Sequence, residues 1–269
     1  MGTGAVGIFD SGIGGLSVLQ ALRAVLPRQD FIYIADSGQA PYGERGDAHV
    51  LARSRALTAC LIGRGIDALV VACNTATAAA IDSLRAEHPL LPIIGVEPAL
   101  KPAAALSQTK RIGVMATQGT LASARFRRLL ESLSPQADFV LQPCDGLAEA
   151  IERSIGRSHT TELIANCSRH TRAMGRFGLK PGEIDTLVLG CTHYPFAGTQ
   201  LRDLLGPDVT LLDTGAPVAR QTRLKLASLP GDQRGGGRVE LFSTGDADAL
   251  QTAAARWLHL DGRVRSLLV

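Results

Sequence analysis

The 269-residue chain has no run of about 18 apolar residues, so no membrane-spanning helix is expected. Its N-terminus lacks a basic region leading into a long apolar stretch, and Asp10 falls where a leader needs an apolar side chain. No signal peptide is expected. Closely spaced cysteine pairs are also missing. The five cysteines, Cys60, Cys73, Cys144, Cys167 and Cys191, are odd in number and far apart, which argues against a disulfide framework or a CxxC zinc site and favours a reducing cytoplasm. Charge of one sign is scarce: the net charge is +3 and the basic residues are scattered. The cluster Arg125–Arg128 reads as a solvated helix face, and nothing amounts to a nucleic-acid footprint. A complete dinucleotide fingerprint is absent too, since Gly12-Ile13-Gly14-Gly15 covers only part of G-x-G-x-x-G. What remains is a hydrophobic fraction of 45%, enough for a globular chain with a large core in one or two domains.

Two stretches organise that chain. Ile66–Thr75 reads IDALVVACNT, and Ile184–His193, 118 positions later, reads IDTLVLGCTH. Ile, Asp, Leu, Val and Cys coincide. Each is a short aliphatic run of the kind that forms a buried parallel strand. Each ends in cysteine followed by small polar residues, ahead of a helical segment, Ala76–Glu87 or Gly198–Leu205. Ligand crevices of open α/β sheets lie at such strand ends. Two matched cysteines imply two thiols facing each other across a cleft between similar halves.

The rest of the chain alternates in the same way. Strands are expected at Ala5–Phe9, Phe31–Ala35, Ile93–Val96, Arg111–Ala116, Phe139–Gln142, Val209–Leu212 and Arg238–Ser243. Helices are expected at Leu16–Val25, His49–Gly63, Ala122–Leu133, Leu147–Ser154, Thr160–Phe177, Pro217–Leu229 and Asp246–Leu258, with a flexible turn at Gly231–Gly237. Ile112-Gly113-Val114 repeats Val6-Gly7-Ile8, and Thr117 falls opposite Ser11. The fold class is α/β: two similar domains of parallel-type sheets flanked by helices. The first spans residues 1–97 plus 210–269, the second 98–209.

The chemistry-bearing residues cluster at strand ends. A helix N-terminus favours the thiolate, the reactive form of cysteine. One thiolate suggests a nucleophile. Two suggest that one removes a proton from one face of a carbon while the other delivers a proton to the opposite face. Cys60, Cys144 and Cys167 read as small buried hydrophobes. Asp10 and Ser11 either cap the helix after the first strand or receive an ammonium group and poise a thiol. Asn74, Thr75, Thr117 and Thr192 either cap helices or join backbone N–H groups in holding carboxylates. His193, two residues after Cys191, is either structural or an acid/base helper. Cys191 and His193 alone are too few to make a zinc site.

DSGIGGLSVL at Asp10–Leu19, PYG at Pro41–Gly43, ACNTAT at Ala72–Thr77 and GCTHYP at Gly190–Pro195 together resemble the glutamate racemases of the aspartate/glutamate racemase superfamily. The resemblance spans Val6 to about Thr214. It implies pseudo-twofold related domains with the active site in the interdomain cleft, and cofactor-independent racemisation of L- and D-glutamate supplying peptidoglycan synthesis. It makes Cys73 and Cys191 the acid/base thiols. Asp10, Ser11, Pro41, Tyr42, Gly43, Asn74, Thr75, Thr117, Thr192 and His193 become substrate contacts, and Asp10, His193 and Glu152 catalytic helpers. Glu152 lies in LAEAIE, which departs from the family's usual wording. No cofactor or metal is expected, and no lysine stands in a strand-end motif to form a Schiff base. The expected partner is glutamate, with no nucleic acid or membrane, in a cytoplasmic homodimer. Aspartate or hydantoin racemases, a single-cysteine hydrolase and a non-catalytic amino-acid-binding module are the rival readings.

Overall fold

The computed structural model describes residues 4–156, 160–229 and 235–269. The chain forms two compact units, Met1–Val96 with Gly215–Val269, and Glu97–Thr214. In chain order, the first unit opens with β1 (Ala5–Asp10), α1 (Leu16–Val25), β2 (Asp30–Ala35), α2 (Asp47–Ile62), β3 (Ala68–Val71), α3 (Asn74–Glu87) and β4 (Ile93–Gly95). The second holds α4 (Leu100–Leu106), β5 (Arg111–Ala116), α5 (Gln118–Ala122), α6 (Ala124–Leu133), β6 (Asp138–Pro143), α7 (Leu147–Arg153), α8 (Thr160–Met174), β7 (Thr186–Leu189), α9 (Gly198–Leu205) and β8 (Thr210–Leu212). The chain then returns to the first unit with α10 (Gly215–Ala227), β9 (Val239–Ser243), α11 (Ala247–Leu258) and β10 (Arg265–Ser266). The return, expected at residue 210, comes after β8, which pairs with β7 and stays in the second unit.

The first unit's sheet is ordered β10-β9-β2-β1-β3-β4 and the second's β6-β5-β7-β8. All described pairings within both sheets are parallel. The strand-order repeat is therefore real at the level of topology: β2-β1-β3-β4 and β6-β5-β7-β8 are the same arrangement. The register repeats as well. Gly7 stands opposite Leu69 and Ile8 opposite Val70, as Gly113 stands opposite Leu187 and Val114 opposite Val188. Every residue of β1, β3 and β7 is buried, which is why these strands read as unbroken apolar runs rather than as alternating patterns. In the first unit, Phe9, Ile34, Leu57, Leu61, Leu69 and Val71 share one apolar cluster with Tyr42 and Cys73. In the second, Leu100, Ile112, Val114, Phe126 and Val188 do the equivalent job. Each fully buried aliphatic or aromatic side chain there stabilises its unit by roughly 1.5–3 kcal/mol.

Several boundaries differ from the sequence reading, each for a local reason. The single helix expected over Ala122–Leu133 is broken at Ser123, whose backbone is extended and whose hydroxyl accepts from Phe126 N at 3.1 Å to start α6. The helix expected to run to Phe177 stops at Met174, because Gly175 adopts a φ of +107° and Phe177 instead bridges to Ile184. The helix α4 was not anticipated. Its Pro102 falls in the first turn, where the missing N–H costs no helical bond. The turn expected at Gly231–Gly237 lies, as far as Arg234, outside the described residues.

Candidate active site

In each unit two neighbouring strands, β1 and β3 or β5 and β7, send their onward connections to opposite sides of the sheet. Such a switch point opens a crevice at the strands' carboxyl ends. The two cysteine motifs stand at these two crevices.

In the first unit, Asp10 ends β1 and is fully buried. One of its carboxylate oxygens accepts from Gly15 N at 2.6 Å. A side chain at residue 15 is excluded, since a Cβ there would lie 2.6 Å from Asp10 Cβ and 2.8 Å from the Tyr33 hydroxyl. The GIGG turn therefore wraps its own carboxylate. That occupies the head of α1 with negative charge and removes the site a pyrophosphate would need. Ser11 comes next, and Cys73 Sγ lies 3.6 Å from its hydroxyl. Cys73 also caps α3, accepting from Ala76 N at 3.4 Å. An N–H at a helix head, aimed at sulfur, stabilises negative charge there. Asn74 and Thr75 form the first positions of α3 and are buried. Both polar atoms of the Asn74 amide are buried without a hydrogen bond. An amide in that condition is costly and suits a polar ligand.

The loop after β2 carries Pro41, Tyr42 and Gly43, with a cis Ala40–Pro41 bond. Pro41 is exposed and Gly43 half-buried, whereas the Tyr42 ring is buried. The Tyr42 hydroxyl donates to Asp36 at 2.5 Å, so its side chain is committed inside the protein. Any substrate contact by this motif comes from its main chain or from its neighbours. Burial, followed by the hydrogen bond to Asp36, pushes the Tyr42 phenol far above its ordinary range.

In the second unit, Gly190 N donates to Met115 O at 2.7 Å, the counterpart of Ala72 N to Phe9 O at 2.8 Å. The approach is close enough that a Cβ on Gly190 would lie 2.9 Å from that carbonyl oxygen. Cys191, Thr192 and His193 follow and are all buried. His193 Nδ1 lies 3.7 Å from Cys191 Sγ, and its Nε2 lies 2.7 Å from Glu152 Oε1 on α7. Burial pulls the imidazole toward its neutral form, but hydrogen bonds to Cys191 and Glu152, with their charges, outweigh it and raise the His193 pKa well above the ordinary value. Thr117 caps α5, accepting from Thr120 N at 3.2 Å. Cys144 and Cys167 are buried, and burial pushes Cys167 to about 11, far from a reactive thiolate.

In the first unit the structure thus gathers Asp10, Ser11, Cys73, Asn74, Thr75 and the Tyr42 loop in one cluster. In the second it gathers Glu152, Cys191, Thr192 and His193 in another. Sequence reasoning missed Asp36 and Arg53, which hold the Tyr42 loop. Asp36 directly follows β2, close to the place Asp10 holds on β1, a signal that was available; Arg53 on α2 carried none. Among the described residues, no group of three or more His, Cys, Asp or Glu is placed to hold a metal ion. No described helix is long and apolar enough to cross a membrane.

Two buried strand-end thiols on a duplicated parallel scaffold, each with its own polar partners, define the class. The chain belongs to the Asp/Glu/hydantoin racemase family, whose model matches residues 16–222. Its relatives narrow this further. The glutamate racemase of Herpetosiphon aurantiacus is 47% identical over 243 residues, 90% of this chain and 92% of that one. The glutamate racemase of Methylococcus capsulatus is 44% identical over 97% of this chain and 94% of its own length. Among solved structures, Escherichia coli glutamate racemase in complex with L-glutamate and the activator UDP-MurNAc-Ala matches with a TM-score of 0.86 and 29% identity, covering 98% of both chains.

Proposed function

We propose that this enzyme interconverts L- and D-glutamate by a two-thiol proton transfer that uses no cofactor. The observation that carries the reading is the pair of buried strand-end cysteines, each held in a distinct polar setting: Cys73 by Ser11 and the head of α3, Cys191 by His193 and Glu152. The relatives called glutamate racemases supply the substrate.

The α-proton of an amino acid is very weakly acidic while its carboxylate is ionised. Without an electron sink such as pyridoxal phosphate, the site itself must stabilise a carbanion-like transition state. The unsatisfied Asn74 amide and the N–H groups at the head of α3 are donors suited to the substrate α-carboxylate. Asp10 is the anion suited to the ammonium group. One cysteine, as thiolate, takes the proton from Cα. The other, as thiol, gives a proton to the opposite face, and the electron pair of the broken C–H bond ends in the new one. In this reading Cys191 deprotonates L-glutamate and Cys73 D-glutamate, with His193, charged and held by Glu152, stabilising the Cys191 thiolate. A water-poor site strengthens each of these interactions.

D-glutamate made in this way serves peptidoglycan synthesis, which fits relatives drawn from bacteria. Five free cysteines suit a cytoplasmic setting. A homodimer acting on glutamate alone, with no nucleic acid or membrane as partner, completes the proposal. Light scattering on the purified protein tests the assembly.

The deciding experiment is an early-quenched reaction in heavy water. With one carrier per face, newly formed D-glutamate carries deuterium at Cα almost completely, while residual L-glutamate stays protiated, and the reverse run from D-glutamate behaves alike. Substantial protium in the early product would mean that a single base returns its own proton, and the two-thiol reading would be lost.

A further inference from the structure

Beneath the Tyr42 loop lies a buried ion pair that the reaction described above does not use. Asp36 is fully buried and accepts four hydrogen bonds. They come from Tyr42 Oη at 2.5 Å, Thr244 Oγ1 at 2.7 Å, and Arg53 Nη2 at 2.8 Å and Nε at 3.0 Å. The Arg53 side chain is 16% exposed, and its remaining Nη1 donates to the main-chain oxygen of Val269 at 2.7 Å. Four segments of the first unit therefore meet on one carboxylate: the end of β2, the Tyr42 loop, α2 and the residue after β9. Tyr42 packs in the same apolar cluster as Cys73.

We propose that Arg53 is a positioning residue for the Cys73 half of the reaction: its fork keeps Asp36 as a carboxylate, Asp36 fixes the Tyr42 hydroxyl, and Tyr42 holds the loop Ala40–Gly43 against the Cys73 side of the site. The inference rests on the two-thiol reading above. A fully buried carboxylate needs a cation and a full set of donors to stay charged. Here both are present, and burial, which opposes ionisation, is outweighed by the donors from Arg53, Tyr42 and Thr244, so Asp36 sits below its usual range. Without the guanidinium, Asp36 either stays charged and unpaired or takes a proton. A protonated Asp36 becomes a hydrogen-bond donor itself and no longer anchors the Tyr42 hydroxyl in the same way. Either outcome loosens the wall beside Cys73 while the Cys191 partners, which lie in the other unit, are untouched.

The test compares wild type with Arg53→Met, which keeps an unbranched stem and removes the guanidinium, and Arg53→Lys, which keeps the charge and loses the fork. Arg53→Met is expected to lower kcat/KM for glutamate by about tenfold or more, the scale of losing a charge-assisted buried bond, with Arg53→Lys in between. Loss of folded protein alone scales all rates together. The discriminating readout is therefore the primary isotope effect on kcat/KM with glutamate deuterated at Cα. In Arg53→Met it should rise from D-glutamate, whose proton Cys73 removes, and fall from L-glutamate. A second readout needs no turnover: in a Cys191→Ala background, mass-mapped iodoacetamide alkylation of Cys73 should show its pH midpoint moved upward by Arg53→Met. If Arg53→Met does not fold, Thr244→Val removes a neutral Asp36 donor and should shift both readouts the same way by less. Unchanged alkylation of Cys73 together with unchanged relative isotope effects would overturn the proposal. Absence of glutamate turnover in the wild type with altered alkylation would fault the substrate reading and leave the positioning role standing.

Discussion

Replacing Glu152 with glutamine keeps the shape of the side chain and removes its charge. In the structure Glu152 Oε1 is 2.7 Å from His193 Nε2, and the other imidazole nitrogen is 3.7 Å from Cys191 Sγ. The His193 side chain is 7% exposed but that of Glu152 is 36% exposed, so solvent screens part of the carboxylate's field. A hydrogen bond to a charged group contributes about 1.5–3 kcal/mol, and with this screening the lower end applies. At about 1.4 kcal/mol per factor of ten, Glu152→Gln should lower kcat/KM roughly tenfold rather than abolish it. The pH profile carries the sharper expectation. Glu152 helps raise the His193 pKa, so its loss must lower it. If His193 works as the protonated partner of the Cys191 thiolate, activity disappears as pH rises through the His193 pKa. The alkaline limb of the kcat/KM profile therefore moves to lower pH in the variant. Because enantiomers are equal in free energy, kcat/KM must fall equally in the two directions. A circular dichroism assay over a pH series measures all of this. An unmoved alkaline limb, or a loss of a thousandfold or more, would refute the pairing of charge read from these distances.

The remaining expectations are shorter. Cys73→Ala and Cys191→Ala should each abolish racemisation, while Cys60→Ala, Cys144→Ala and Cys167→Ala keep most of it in the same assay. Gly15→Ala should destabilise the first unit by about 1–3 kcal/mol, as overpacking does, because the new Cβ meets Asp10 and Tyr33; a denaturant titration reads the loss. Asp185 accepts from Ser107 Oγ and from the backbone N–H of Gln108 and Thr109. Burial opposes its ionisation, but these donors win and hold its pKa below the usual carboxylate value. The stability it contributes is therefore present above that value and lost as pH falls through the lower folded one, so Asp185→Asn should flatten the acid-unfolding curve below about pH 4. Dialysis against a chelator should leave turnover unchanged, and restoration by added zinc would count against the two-thiol chemistry.

Much of the candidate site was legible because it sits at strand ends. IDALVVACNT and IDTLVLGCTH gave the strands β3 and β7 and the cysteines beyond them, since strands buried on both faces print as continuous aliphatic runs. Glu152 was hardest to place from its local wording, and it proved to be the partner of His193. No periodicity marks it, because its role depends on α7 being carried up to the end of β7 by the fold. Asp36 offered only the weak signal of an acid beside a strand end, and its partner Arg53, a helix residue 17 positions away, offered none. The Ser123 break between α5 and α6 escaped notice because serine is tolerated within helices and starts them equally well, so only the observed extended backbone distinguishes the two.

The duplicated scaffold explains why the two thiols are alike, and its divergence explains how they can differ. Topology and register repeat between the halves, and the carbonyl contacts of Ala72 and Gly190 repeat with them. The partners of the sulfurs do not. Cys73 heads the 14-residue helix α3 and has a hydroxyl beside it, so its negative charge is met by backbone dipoles that do not titrate. Cys191 is followed by a short 3-10 turn, Tyr194–Ala197, before α9 begins, and its charge is met by an imidazole that does titrate. Raising the pH therefore weakens the support of one thiolate and leaves that of the other in place. The equality of kcat/KM in the two directions is imposed by the reaction and holds at every pH. The separate kcat values are under no such constraint. They should part company as His193 loses its proton, with the direction that begins at Cys191 losing more. Parallel kcat profiles for L- and D-glutamate across the alkaline limb would show that the two thiols, despite their different partners, respond to pH as one.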